Sequence, residues 1–272
     1  MFIAGVILLA FLYFFKRKDF RITRSQILPL FLLSLSAVYL TNAFEFWGLQ
    51  YLTAAKACLI YSLSPFIAAL LSYIQFREKI TARKVVGLVI GFIGFSPVFL
   101  YNSGSEVAMG GFLFFSWAEL ALIMATIFSV YGWILLRKLG KDEGMSPLMA
   151  NGSSMLMGGL FALAHSFFVE NWAPTPVVEQ GEFFKWVFFI IIVSNLLCYN
   201  LYGWLLKRFS ATFLSFAGLT TPLFAAAWGW LMHRETVPWP FYLSMAVVGA
   251  GLWLVYSEEL RLGYIVRSRK AV

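Results

Sequence analysis

The chain has 272 residues, 61% of them hydrophobic and 12% charged, with a mean hydropathy of +0.79. Ordinary soluble domains carry about 25% charged residues, so a soluble enzyme, a disordered chain and a disulfide scaffold are excluded. The net charge of +8 would suggest nucleic acid in a soluble protein, but in a membrane protein Lys and Arg collect in cytoplasmic loops.

A membrane-crossing helix takes about 20 apolar residues. Apolar runs bounded by charged and turn-rich breaks predict nine spans: A 1–15, B 27–49, C 54–76, D 85–101, E 112–136, F 148–169, G 183–206, H 211–232 and I 239–256. Span A is short. It lacks the basic n-region and small-residue cleavage site of a signal peptide, so it reads as a true span. Basic residues fall in alternate links. Five lie in 16–24, four in 77–84, three in 137–141, two at 207–208 and four after span I. Only Lys56, Lys185 and Arg234 lie on the other side. This eighteen-to-three split puts the first residue outside and the C-terminus in the cytoplasm. The positive charge is a topology signal, and no nucleic-acid partner is expected. Cys58 and Cys198 lie in separate apolar runs and suggest neither a disulfide nor a metal site.

The chain repeats itself at an offset of 157. Trp47/Trp204, Ala54/Ala211, Pro65/Pro222, Ala68/Ala225, Ala69/Ala226, Arg77/Arg234 and Glu78/Glu235 are identical pairs. A glycine-bearing span follows each copy, with Gly87, Gly91 and Gly94 in D and Gly249 and Gly251 in I. Spans B, C and D therefore match G, H and I, and A pairs with F. Because Arg77 is predicted inside and Arg234 outside, the copies are inverted. Inverted repeats mark secondary transporters, with the substrate site near the midplane between the halves.

The pattern Ala54-Ala55, Ser62-Leu63-Ser64-Pro65, Arg77-Glu78, and its second copy Ala211-Thr212, Leu219-Thr220-Thr221-Pro222, Arg234-Glu235, resembles the EamA-type members of the drug/metabolite transporter superfamily. The resemblance covers residues 1 to about 257. It implies an all-α integral membrane protein of ten helices in two inverted five-helix repeats. Here the repeats would be 1–101, lacking its first helix, and 112–257, followed by a basic cytoplasmic tail at 258–272. A bacterial inner membrane and a small organic substrate are implied, with no cofactor. The chain is also similar, without a residue motif to carry the likeness, to transporters of obligate intracellular bacteria that import S-adenosylmethionine, some in exchange for S-adenosylhomocysteine. Amino acids and drugs are the other substrates the resemblance allows.

Ionisable groups within spans suggest function by default. Glu45 lies in the outer part of B, one turn from Asn42. Glu119 follows the predicted start of E by seven residues, which places it ~10 Å below the outer end. A pathway role is favoured for Glu119, on a polar stripe with Ser116 and Thr126. Glu45 and Lys56 equally suit an ion pair closing the outer mouth. Asn195, Tyr199 and Tyr202, spaced by four and three, are expected to share a face of G, either toward substrate or in a helix–helix hydrogen bond. Asn200 is expected on another face. Tyr61 and Trp117, with Trp47 and Trp204, are candidates to stack on a planar or cationic ligand. Pro65 and Pro222 interrupt equivalent spans as hinges or static kinks. His165 reads as interfacial. An integral membrane enzyme is the competing class. The histidines His165 and His233 form no ligand pattern, and no phosphate-cradling glycine loop is present.

Overall fold

The computed structural model describes residues 1–52, 57, 60–61, 63–95, 111–112, 115–170, 172, 179–221, 224 and 239–263. Its helices are α1 (Phe2–Phe15), α2 (Arg24–Leu49), α3 (Ser64–Phe76), α4 (Ala82–Phe95), α5 (Trp117–Lys141), α6 (Pro147–Val169), α7 (Gln180–Leu206), α8 (Ala211–Ala217) and α9 (Trp239–Arg261). Among the described residues, the extended structure is one antiparallel pair of two-residue strands, Gly111–Phe112 with Phe115–Ser116. Among the same residues α2, α5, α6 and α7 are long and apolar enough to cross a membrane.

Helix starts follow local chemistry. The first amides of a helix lack intrahelical partners, and a Ser or Thr side chain supplies one. Thr23 forms a capping box with Gln26 at α2. Thr81 accepts from the Lys84 amide at α4 (3.3 Å), Ser146 from Met149 at α6 (3.2 Å), and Ser210 from Phe213 at α8 (3.0 Å). Two boundary differences bear on the residues discussed below. Helix α5 begins at Trp117, five residues past the predicted start of E at 112. Helix α9 runs to Arg261, so Glu258 and Glu259, assigned above to the tail, form its buried last turn (1% and 0% exposed).

Two helices widen in mid-course. Residues Ser34–Leu40 of α2 and Ile190–Cys198 of α7 are π-helical. At the offset of 157, residues 34–40 correspond to 191–197, inside the second segment. Such turns are rare and concentrate at functional sites. They leave carbonyls short of regular partners, and neighbouring side chains take them up. Thr41 donates to Ser36 O (2.9 Å), Asn42 to Val38 O (2.6 Å) and Asn200 to Leu196 O (2.9 Å).

The chain forms two compact units, Met1–Ala43 with Tyr131–Lys207, and Phe44–Val130 with Arg208–Val272. Each draws on both halves of the sequence. In the first, α1 lies antiparallel to α6. Phe2 meets Gly159, Gly5 meets Leu156, and Leu9 meets Gly152. Its core joins Ala4, Leu8, Val38, Met155 and Ile191. In the second, α4 lies antiparallel to α9, with Gly87 against Val255 and Gly91 against Gly251. A Cβ on Gly251 would stand 2.7 Å from the Gly87 carbonyl oxygen and 2.9 Å from the Gly91 nitrogen. The absence of side chains therefore sets this backbone approach. Helix α3 packs on α8, and a second core joins Leu52, Ala57, Ile60, Ala118 and Leu122.

Candidate functional site

In the second unit, Tyr61 hydrogen-bonds to the half-buried Glu45 carboxylate. Two of the predicted site residues, from spans B and C, are thereby brought together. Ile60, next to Tyr61, and Ala118, next to Glu119, belong to one apolar cluster. Gly48 sits against Leu122 and the Ala118 carbonyl, which closes α2 onto α5.

Glu119 occupies a different setting from the one its sequence position implied. It lies in the first turn of α5, since the helix starts at Trp117 and not at 112. Its carboxylate accepts from the Ser116 amide (2.6 Å), and its own amide donates to Ser116 Oγ (3.2 Å). This reciprocal pair is a capping box. The Ser-x-x-Glu spacing of 116–119 carries that signal. Thr126, on the expected polar stripe, is fully buried and donates back to Leu122 O (2.8 Å). Trp117 is 52% exposed, a setting typical of interfacial aromatic belts.

The first unit holds the amide-bearing candidates. Asn42 donates to Val38 O of its own helix. Asn195 is 1% exposed within the π-helical stretch of α7, and its Oδ1 has no hydrogen-bond partner among the described residues. The Tyr199 carbonyl accepts from Asn151 Nδ2 (2.9 Å), and the same amide reaches Asn200 Oδ1 (3.1 Å). Asn151 was not singled out in the sequence, where it sits among small residues of span F. His165 meets Tyr39 edge-on at 5.8 Å.

Pro65 is the second residue of α3, where its missing N–H costs little. Before it, Ser64 Oγ donates to Tyr61 O (2.6 Å) and the Leu63 amide to Ile60 O (3.0 Å). In the second copy, Gly218–Thr220 forms a 3₁₀ turn at the equivalent of 61–63. Pro222 lies outside the described residues. Helix α3 ends with Arg77 in the left-handed region (φ 53°), its amide bonded to Ser72 O.

Among the described residues, the starts of α4 and α8 and the last turn of α9 carry a buried ion pair, which the sequence reading missed. Lys84 pairs with Glu259 at 2.5 Å with both side chains buried (1% and 0% exposed). Ser210, the α8 cap, donates to the same carboxylate. Arg261 pairs with Glu258 at 2.8 Å. Burial alone would raise the Glu258 carboxyl. Hydrogen bonds from Thr81 and Arg261 and the charges of Arg261 and Arg83 outweigh it and hold the group below its usual range. Among the described residues no cluster of His, Cys, Asp and Glu is arranged to hold a metal.

Irregular turns inside apolar helices are a feature that membrane carriers use. Residues 1–100 and 116–257 match the EamA-like transporter family, and the chain belongs to that family. It is 43% identical to the S-adenosylmethionine/S-adenosylhomocysteine transporter of Chlamydia muridarum (strain MoPn / Nigg), over 98% of this chain and 84% of the relative. Identity to the transporter of the same name from Chlamydia trachomatis serovar L2 is 42%, over 98% of this chain and 82% of the relative. An uncharacterised Bacillus subtilis (strain 168) transporter, YetK, is 22% identical over 94% of this chain and 76% of its own. One solved crystal structure superposes with a TM-score of 0.73 over 96% of this chain and 85% of the other, at 16% identity, which bears on the fold alone. The protein is a membrane transporter and not an enzyme.

Proposed function

We propose that this transporter exchanges S-adenosylmethionine for S-adenosylhomocysteine by alternating access. The observation that carries this reading is 43% identity over 98% of the chain to a transporter of that name. The substrate bears a sulfonium, an amine and a planar base. Glu45, oriented by Tyr61, supplies negative charge for the cationic parts. Asn42, Asn195, Tyr199 and Trp117 supply amide and aromatic contacts, and Glu119 a second acid. Pro65 and Pro222 serve as hinge points.

Nine spans and an inverted repeat complete the proposal. Support comes from helices at matching positions of the two copies. Helix α1 runs antiparallel to α6 and α4 to α9, while α3 packs on α8. The π-helical stretches of α2 and α7 coincide under the repeat offset. The proposed location is the bacterial inner membrane, with Val272 cytoplasmic as the charge split suggests. A reporter fused after Val272 should read as cytoplasmic, and one in the 170–182 link as external.

The test is uptake of labelled S-adenosylmethionine by proteoliposomes. Uptake should depend on S-adenosylhomocysteine inside, and uptake indifferent to the internal solute would overturn the exchange. Glu45→Gln keeps the shape of the side chain and should abolish most uptake at unchanged protein level. Glutamine also serves in a capping box, so lost uptake in Glu119→Gln would report its charge. Normal uptake in that variant would remove Glu119 from the path.

A further inference from the structure

The link between α1 and α2 stands apart from the other basic regions. Lys16, Arg17, Lys18, Arg21 and Arg24 are all exposed, and the one acid among them is Asp19. Among the described residues none of these five forms an ion pair. In contrast, Lys84 pairs with Glu259 and Arg261 with Glu258, and Arg83 acts on Glu258. Residues 16–24 thus carry five exposed cations against one acid.

The segment is also built. Arg17 Nε donates to Tyr13 O (3.2 Å), and its guanidinium lies 4.8 Å from the Tyr13 ring centroid. Phe20 meets the same ring edge-on at 5.8 Å. A 3₁₀ turn over Arg17–Asp19 folds the link back. Beside the cations, Phe14 and Phe15 are 72% and 76% exposed at the end of α1. Phe20 and Ile22 are exposed within the link itself. Exposed aromatic and aliphatic side chains next to unpaired cations, where a helix leaves the membrane, match the two parts of a phospholipid. A second copy of this surface would meet it with like charge.

We infer that residues 16–24 bind anionic phospholipid headgroups, with acyl chains lying against Phe14 and Phe15. Arg17 is held by Tyr13 and shapes the link, while Lys16, Lys18 and Arg21 supply the free charges. The assignment to the cytoplasmic leaflet rests on the orientation proposed above, whereas the headgroup preference does not.

The test uses the full chain in phosphatidylcholine nanodiscs containing a minor fraction of phosphatidylglycerol, with the lipid retained after extraction as readout. Phosphatidylglycerol should be enriched over its bulk fraction. The affinity for phosphatidylglycerol relative to phosphatidylcholine should fall by about fivefold for each basic residue removed across Lys16→Gln, Lys18→Gln and Arg21→Gln, which takes the enrichment to nothing in the triple variant. A charge-retaining variant with Lys16→Arg, Lys18→Arg and Arg21→Lys should keep the enrichment, as should Lys185→Gln in a distant exposed pair. Soluble glycerol phosphate should not displace the lipid. Equal enrichment in the triple glutamine variant, or displacement by glycerol phosphate at matched phosphate concentration, would overturn the inference. The readout is lipid composition and not transport, so its failure is separate from any failure of the exchange reading.

Discussion

The two compact units solve the same problem, polar groups in an apolar solvent, by different chemistry. In the unit formed by 1–43 and 131–207, neutral groups serve the irregular turns. Asn42, Thr41, Asn151 and Asn200 take up carbonyls at or beside the π-helical turns. The unit formed by 44–130 and 208–272 uses charge. Beside neutral bonds such as that of Thr126, it holds Lys84 with Glu259, Arg261 with Glu258, and Glu45 with Tyr61. An amide network tolerates the loss of one member because each bond is weak and alternatives lie nearby. A buried ion pair does not, since the surviving charge is left in low dielectric. The second unit should therefore be the more sensitive to single substitutions and to acid.

The largest effect is expected at Lys84 and Glu259. Glu259→Gln strands a buried ammonium and should cost about 3–5 kcal/mol, read as a lowered unfolding temperature in detergent. The double change Lys84→Met with Glu259→Met should recover most of that loss, because paired removal strands nothing. Equal damage in the double variant would show that shape, and not charge, governs the site. Next is the glycine seam. Gly251→Ala drives a methyl group against the Gly87 and Gly91 backbone and should cost about 1–3 kcal/mol as overpacking. Smaller is Asn151→Ala in the neutral unit. Each polar bond between membrane helices contributes about 0.6 kcal/mol on average, so the loss should stay near 1 kcal/mol. A collapse on the scale of Glu259→Gln would erase the contrast between units. The smallest effect concerns Glu258, whose folded value lies below its ordinary 4.5. Its stabilising contribution is complete above that pH and is lost as pH falls through the folded value. Glu258→Gln should flatten the acid limb of stability against pH and leave the neutral region nearly unchanged.

Much of this molecule was legible in the sequence because the bilayer imposes a coarse and strong rule on composition. Helix α6 (Pro147–Val169) matches a span read as 148–169, since an apolar run between capping and polar residues leaves little freedom. The candidate site was less legible, for two reasons that particular residues show. The run from 112 is apolar and reads as helix, but Ser116 and Glu119 cap each other and start α5 at Trp117. Local hydrogen bonding outweighed hydropathy there. Asn195, Tyr199 and Asn200 were assigned faces by ordinary helical spacing, yet Asn195 lies inside a π-helical stretch that shifts the helical phase of the residues beyond it. Asn200 consequently reaches Asn151. The Lys84–Glu259 pair joins residues 175 positions apart, and neither hydropathy nor local spacing encodes such a meeting.

The widened turns in α2 and α7 also date an event. A π-helical turn arises when a helix accommodates one residue more than its regular winding needs, and it persists where neighbours have adapted to it. The two stretches occupy the same place under an offset that also aligns prolines, tryptophans and Arg-Glu termini. An extra residue acquired separately in each copy would have had to land twice on the same turn. Under the repeat proposed above, a single acquisition in an ancestral half needs only inheritance. On that proposal the irregular turn predates the doubling.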